Sequence, residues 1–148
     1  MKLFGIFLLI PFFAMSQSDI VAAEGFLKQK QFSKAVTLLD THIKTNASDL
    51  RAIELLGDAY GHQKKWDEAI TQYKKLVDLS PNTANFHYKY GGALGMKALS
   101  VNKMKALGII GDVKSAFLKA AELDPKHIDT RWALVELYMQ LPGIVGGS

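Results

Sequence analysis

The chain has 148 residues, of which 49% are hydrophobic and 22% are charged. These values suit one folded domain with a modest core and exclude a disordered or low-complexity chain. The formal charge of +4 comes from 18 basic and 14 acidic residues, a weaker excess than nucleic-acid-binding proteins usually carry. The absence of cysteine excludes a disulfide framework, a thiolate metal site and a cysteine nucleophile.

The N-terminal segment has the pattern of a secretory signal peptide. Lys2 gives it a positive start, residues 3–14 are almost wholly apolar, and residues 14–16 (Ala-Met-Ser) place small side chains at the two positions that a signal peptidase reads. We therefore expect a leader over residues 1–16, cleaved directly before Gln17. The mature protein would then be exported, either to the periplasm or into the medium.

The alternative interpretation of this segment is an uncleaved membrane anchor. A membrane-spanning helix needs about 20 consecutive apolar residues. The apolar run here is shorter and contains Pro11, so the leader is the favoured interpretation.

A repeat pattern begins after the leader and is clearest over residues 50–83. Small, aromatic and proline residues occur there in a fixed order: Ile53, Leu56, Gly57, Tyr60, Trp66, Ala69, Tyr73 and Pro81. This order resembles the tetratricopeptide repeat family, whose unit spans about 34 residues. Only the first aromatic position differs, where Ile53 stands, and the chain is most similar to exported bacterial members of the family.

Weaker copies of the same order lie on both sides. The earlier copy carries Ala23, Phe26, Phe32, Ala35 and Leu39. The later copy begins with His87, Gly91 and Leu94 and resumes with Val113, Phe117, Ala120 and Pro125. Pro125 follows Pro81 by 44 positions, about ten more than the family period. We expect two lengthened helices there, joined by a turn near residues 100–102.

The resemblance implies an all-α fold, a right-handed α-solenoid of antiparallel helix pairs with about three and a half repeats, the third with an extended hairpin. The units would lie near residues 17–49, 50–83 and 84–127, with a partial unit over 128–148. Stacked repeats normally end in a polar cap, and the fourth unit stops after its first helix. We therefore expect the natural chain to continue.

The first helix of each pair would line the concave surface of the stack, with the residues next to the packing face turned inward. Ile20, Glu24, Lys28, Gly92 and Asp129 are among these inward positions. The predicted partner-binding residues are Arg51, Glu54, Asp58, His62, Asn85, Tyr88, Lys89, Trp132 and Glu136. Ser33, either Ser48 or Asp49, and Thr83 are placed to cap the following helices.

Three of these residues share one stripe of a helix, since Glu54, Asp58 and His62 are spaced four apart. One interpretation is a site for a cation or a basic peptide, with His62 as a metal ligand. The other is a solvated polar face, which we favour over a metal site because a tight site needs ligands converging from several elements. Tyr88 and Trp132 would serve as aromatic anchors for a peptide, or Trp132 would pack against a continuation of the chain.

Some members of the family hold an acidic C-terminal peptide with a clamp of lysine, asparagine and arginine side chains. The matching positions here are Ile20, Glu24, Leu55, Asn85 and Lys89. Only Asn85 and Lys89 have a suitable character, so the resemblance does not support that activity.

The predicted hairpin tip is basic, with Lys97, Lys103 and Lys105 and no acidic residue nearby. Such a tip would suit an anionic polymer of the envelope, lipid headgroups or an acidic partner. The simpler interpretation is that the lysines keep the tip soluble.

No catalytic motif is present in the sequence. The four histidines are dispersed without a metal-ligand spacing, and the glycine-rich residues 91–95 lack the lysine of a phosphate-binding loop. We therefore predict a non-catalytic scaffold in the cell envelope or secreted space that binds a protein or peptide and has no cofactor, no metal and no nucleic-acid partner. The alternatives are a structural subunit of an envelope transport or assembly complex, and an accessory region of a longer enzyme.

Overall fold

The computed structural model describes the backbone of residues 10–145 and the side chains of residues 17–143. All regular secondary structure in this part of the chain is helical. Its helices are α1 (Ile10–Lys28), α2 (Phe32–Thr45), α3 (Leu50–His62), α4 (Trp66–Leu79), α5 (Ala84–Ser100), α6 (Lys103–Leu123) and α7 (Ile128–Val145).

The helices form an α-solenoid of antiparallel pairs, as predicted. Helix α1 packs on α2, α3 on α4 and α5 on α6, and each pair contacts the next through α2–α3, α4–α5 and α6–α7. The first helices are also neighbours, because α1 contacts α3 and α5 contacts α7. The first helices therefore share one surface of the stack.

Small residues let the paired helices approach, and Gly91 shows this in the third pair. A Cβ atom at that position would lie 2.9 Å from the ring of Phe117 and 3.1 Å from Cβ of Ala116. The glycine is thus needed for packing, which confirms its prediction as the small residue of the repeat and leaves no reason to assign it to a phosphate loop.

The tight turns of the first two pairs repeat at the period that the sequence predicted. Lys30 and Lys64 are 34 positions apart, and both have a φ of 57°, a left-handed conformation that side chains other than glycine rarely adopt. Each turn closes with a backbone bond, from Gln31 to the carbonyl of Phe26 (2.8 Å) and from Lys65 to that of Tyr60 (3.0 Å). The weaker first copy in the sequence therefore has the same turn geometry as the second.

The third pair is the predicted extended hairpin. Helices α5 and α6 have 17 and 21 residues, against 13 and 14 for α3 and α4. Their turn consists of Val101 and Asn102, within the predicted range, and the Asn102 side chain accepts a hydrogen bond from the Lys105 amide at 3.0 Å. Ala98 and Ala106 are buried where the two arms meet.

Helix caps were predicted correctly in one case. Asp49 caps α3, accepting bonds from the amides of Arg51 and Ala52 at 3.1 Å each. The assignment of Ser33 was wrong, because α2 begins at Phe32. Thr83 occupies the N-cap position of α5 without a capping bond from its side chain.

Helix α7 packs on the third pair through one side only. Thr130 and Leu137 are buried, whereas Val135 and Tyr138 are half exposed. Val135 and Tyr138 lie on a side of α7 that no described helix covers.

The predicted leader lies mostly outside the described residues, because the description starts at residue 10. Helix α1 runs through the predicted cleavage point before Gln17. None of the described helices combines the length and the apolar character needed to span a bilayer.

Candidate functional site

Ionic side chains connect the first helices of three successive pairs on their shared surface. Glu24 comes from α1, Arg51, Glu54 and Asp58 from α3, and Lys89 from α5. We call these five residues the ion-pair cluster. Four of them were predicted to bind a partner, and Glu24 was predicted to face inward.

Arg51 links α1 to α3 at one end of the cluster. Its Nη2 atom donates to Glu24 Oε1 at 2.7 Å and its Nε atom to the same oxygen at 3.1 Å. Its Nη1 atom donates to Glu54 Oε2 at 3.0 Å. The hydrogen bonds from Arg51 to Glu24 are the main reason that the guanidinium pKa is raised.

Lys89 links α3 to α5 at the other end. Its Nζ atom lies 2.8 Å from Glu54 Oε1 and 2.7 Å and 2.8 Å from the two carboxylate oxygens of Asp58. The amide of Asn85 also donates to Glu54 Oε1, at 3.2 Å. The ammonium group of Lys89 is therefore already engaged by two carboxylates.

Burial and charge compete at Glu54. Burial acts to raise the carboxyl pKa, but Lys89 and Arg51 outweigh burial and hold the pKa below its usual value. Beneath the cluster, the Tyr73 hydroxyl donates to Asp58 Oδ1 at 2.6 Å. Burial and the neighbouring Asp58 raise the pKa of Tyr73, so this phenol stays a donor to the carboxylate.

His62 does not join the stripe of Glu54 and Asp58. Its ring stacks on that of Phe32, with centroids 4.7 Å apart and planes 8° from parallel. Within the described residues, no three His, Asp or Glu side chains are grouped to hold a metal ion. The spacing along α3 indicated that Glu54, Asp58 and His62 are neighbours. Stacking on Phe32 instead turns the His62 ring toward α2.

Two of the remaining predicted residues, Tyr88 and Glu136, line a cavity between α5, α6 and α7. Its volume is about 300 Å³, and Tyr88, Glu136 and Gln140 are among its lining residues. The Tyr88 ring also packs on Phe117 at 6.2 Å between centroids. Trp132, from α7, is 69% exposed.

A clamp for an acidic peptide tail is absent from the described part of the surface that the first helices share. Leu55, one of the matching positions, is buried in the core. Lys89 is neutralised by Glu54 and Asp58, and Glu24 is itself acidic. A free carboxylate would therefore meet a surface with more carboxylates than free cations.

Sequence reasoning missed a second polar group at the edge of this surface. The buried His42 ring lies between two carboxylates, with Nδ1 3.3 Å from Asp19 Oδ2 and Nε2 2.9 Å from Asp49 Oδ2. This arrangement ties α1 and α2 to the cap of α3. The sequence did contain one signal of this group. His42 lies in the apolar stripe of α2, one turn after the buried Leu39.

The fold and this shared surface define an α-helical repeat protein. Residues 57–97 match the family model described as TPR repeat. Among curated relatives, the tetratricopeptide repeat protein 30 homolog of Drosophila pseudoobscura pseudoobscura is 27% identical over 106 residues, which cover 66% of this chain and 16% of that protein. The chain thus spans less than a fifth of that relative's length.

Solved structures agree on the fold. The first TPR domain of Spaghetti (RPAP3), bound to the HSP90 peptide SRMEEVD, has a TM-score of 0.73 at 15% identity and covers 85% of this chain and 92% of its own. The second TPR domain of human RPAP3, in complex with the HSP70 peptide SGPTIEEVD, has a TM-score of 0.71 at 17% identity and covers 83% and 94%. These structural similarities show the fold of this chain, and residues 57–97 are the part that also matches the TPR repeat model in sequence.

Proposed function

We propose that this protein is a non-catalytic scaffold that binds a protein or peptide along its concave surface. The observation that carries the proposal is the convergence of five predicted partner-binding residues on that surface. They come from α3 and α5 and are Arg51, Glu54, Asp58, Asn85 and Lys89. The similarity of the fold to TPR domains solved with bound peptides supports the same use of the surface.

The charge of the surface favours a basic or apolar peptide. The ion-pair cluster contains three carboxylates and two cations, and the exposed Asp129 and Glu136 of α7 add negative charge. Trp132 presents an exposed aromatic ring on the same helix, the kind of side chain that anchors peptides. An acidic tail such as those in the two solved complexes would be repelled here.

The binding test uses residues that are exposed and make no contribution to the core. Trp132→Ala combined with Glu136→Lys should weaken a peptide selected on the immobilised protein by about tenfold or more, as expected for loss of an aromatic anchor and a charge. Leu118→Ala is the matched control, because Leu118 is exposed on α6, a second helix. Fluorescence polarisation with the labelled peptide measures both affinities.

The proposal would be rejected if the selected peptides bound both variants equally well. It would also be rejected if Leu118→Ala weakened binding as much as the double change. Circular dichroism on each variant establishes that the fold is retained.

The proposed location is the cell envelope or the secreted space, and the leader pattern supports it. After cleavage before Gln17, α1 would keep residues 17–28, including Asp19, which contacts His42. N-terminal sequencing of the exported product should find Gln17 first. A product that starts at Met1 and stays in the cytoplasm would contradict the location.

The second candidate function is a structural subunit of an envelope transport or assembly complex. The extended third hairpin favours it, because Leu99 and Met104 are exposed there and a subunit contact would bury them. Deleting residues 97–107 and measuring the size of the native complex distinguishes this candidate from the scaffold.

An accessory role in a longer enzyme is compatible with the short span of the chain relative to its curated relative.

A further inference from the structure

The end of the α5–α6 hairpin projects past the neighbouring pair. Lys97 pairs with Asp67 in the first turn of α4, so the hairpin residues after Lys97 continue beyond the start of that helix. The extra length is 4 residues in α5 and 7 in α6 relative to α3 and α4, which corresponds to about 6 to 10 Å. We call residues 96–107 the hairpin tip.

The tip is a fixed structure with apolar side chains on its outside. The side-chain oxygen of Asn102 caps α6, and the Ser100 hydroxyl donates to the carbonyl of Lys97 at 2.8 Å. The apolar residues that remain exposed are Met96 (45%), Leu99 (57%), Met104 (79%) and Leu107 (39%). Met96 and Leu99 also line the cavity between α5, α6 and α7, whereas Met104 and Leu107 lie in the first turns of α6. Four exposed apolar side chains within twelve residues are denser than the single ones of an ordinary surface.

The charge of the tip has one sign. No aspartate or glutamate occurs between Asp78 and Asp112, whereas Lys103 and Lys105 are exposed at the start of α6. Lysines in the first turn of a helix are unfavourable for the helix dipole. Lys103 and Lys105 therefore gain no stabilisation from the dipole at this place, and their exposed ammonium groups are available to an external anion.

We propose that the hairpin tip binds the surface of a membrane that contains anionic lipids. Membrane attachment of this kind requires apolar side chains that enter the interface and cations that meet the headgroups, and the tip has both within twelve residues. Methionine and leucine adapt to the mobile lipid interface. Protein interfaces are instead depleted in lysine, whereas three of the twelve tip residues are lysine. The tip also has none of the tyrosine, tryptophan or arginine side chains that dominate the binding energy of protein contacts.

The proposed contact is attachment to the membrane surface, because none of the described helices could span a bilayer. Leu99 and Met104 flank the turn, so they would reach the acyl boundary first, with Lys103 and Lys105 at the headgroups. Attachment should weaken as salt is raised, because exposed charges are screened beyond about 10 Å at 0.1 M ionic strength. The ion-pair cluster on α1, α3 and α5 is not involved.

The test is sedimentation of the folded chain, without its leader, with phosphatidylcholine vesicles that contain or lack phosphatidylglycerol. The protein should bind the anionic vesicles and not the neutral ones. Lys103→Gln with Lys105→Gln should lower the partition coefficient about 25-fold, since each lysine near an anionic surface contributes about fivefold. Leu99→Ser with Met104→Ser should lower it at least about tenfold.

Two control pairs make the same chemical changes away from the tip. Lys44→Gln with Lys126→Gln removes equal charge, and Val21→Ser with Leu118→Ser removes exposed apolar side chains from α1 and α6. Neither pair should change partitioning by more than about twofold, the effect of distant screened charges. Circular dichroism and melting curves establish that all four variants are folded.

Tryptophan fluorescence gives an independent readout of the same contact. Met104→Trp should shift its emission to shorter wavelength with anionic vesicles, after subtraction of the signal of the native tryptophans. The proposal is overturned if anionic vesicles do not sediment the protein, or if the control pairs reduce binding as much as the tip pairs. It is also overturned if the tip variants lose a protein partner while lipid partitioning stays unchanged.

Discussion

Gly57 lies directly against the ring of Tyr73. A Cβ atom on residue 57 would come within 2.5 Å of Tyr73 Cε1 and 2.9 Å of Cδ1. The same tyrosine holds Asp58 through its hydroxyl, so the close approach of α3 and α4 also positions one carboxylate of the ion-pair cluster.

Gly57→Ala should destabilise the protein by about 1–3 kcal/mol, the usual cost of forcing an extra methyl group into a packed core. Gly61→Ala is the matched control in the same helix, since its Cβ would meet Trp66 at an ordinary 3.8 Å. The control should be neutral or stabilising, because alanine is the better helix former. Urea unfolding of both variants decides this, and equal midpoints would contradict the packing.

Leu76→Ala should cost about 2–5 kcal/mol, because the side chain is fully buried between the second and third pairs and its loss leaves a cavity. Leu79→Ala, one turn later in α4, should cost less than about 1 kcal/mol, since Leu79 is exposed. Thermal and denaturant unfolding measure the difference. A similar loss for both would show that α4 packs through another face.

Lys64→Gly should stabilise the protein by about 0.5–1 kcal/mol. Lys64 has a left-handed backbone, which glycine adopts without the steric penalty of a side chain. Lys65→Gly is the control, because Lys65 has a φ of −84° and gains nothing from glycine. If denaturant midpoints rose for Lys65→Gly and not for Lys64→Gly, the turn would have a different geometry.

Asp49→Ala should destabilise the protein by about 2–4 kcal/mol. The change removes the α3 cap, worth about 1 kcal/mol, and leaves a nitrogen of the buried His42 ring without its partner, at about 1–3 kcal/mol. Asp49→Asn keeps an oxygen for the cap and should cost less. Denaturant unfolding of the two variants separates these effects, and an equal loss in both would mean that the capping oxygen contributes nothing.

Acid should destabilise the protein through Glu54 and Asp49. Burial acts to raise the pKa of Glu54, but Lys89 and Arg51 outweigh it and hold the pKa below its usual value. Burial acts in the same direction on Asp49, but bonds from the Ala52 amide and His42 hold its pKa below the usual value. A carboxyl group whose pKa is lower in the folded protein than in the unfolded chain stabilises the folded state. Its contribution is complete at a pH above the unfolded pKa and is lost as the pH falls through the folded pKa.

The free energy of unfolding should therefore fall as the pH drops below about 4.5. Glu54→Gln should show a shallower fall over that range, whereas Lys114→Gln, on the other side of the stack, should follow the unmodified protein. Urea unfolding at a series of pH values gives both profiles. A profile for Glu54→Gln with the same slope would exclude Glu54 as a source of the pH dependence.

The repeat positions could be predicted from the sequence because they depend on local spacing and residue size. Gly91 is small where Phe117 must approach, and the extra residues before Pro125 lengthened one hairpin as expected. The inward direction of Glu54, Asp58 and Lys89 followed from their place on the helices. The roles of these residues in binding remain predictions.

The pairing of those side chains could not be predicted. Arg51 reaches Glu24 from a neighbouring pair, and Lys89 reaches two carboxylates across α3 and α5. The distances between such long side chains depend on how closely and at what angle the pairs stack. For the same reason His62 was expected beside Asp58, whereas its ring stacks on Phe32.

The sequence alone determined the helical repeat, its period and the long third hairpin, because helical periodicity, small residues and proline act over short distances along the chain. Only the tertiary structure decided which charges neutralise one another, where His42 is held and which apolar residues of the hairpin remain uncovered. Those features depend on contacts between residues from different helices, and stacking of the pairs creates them.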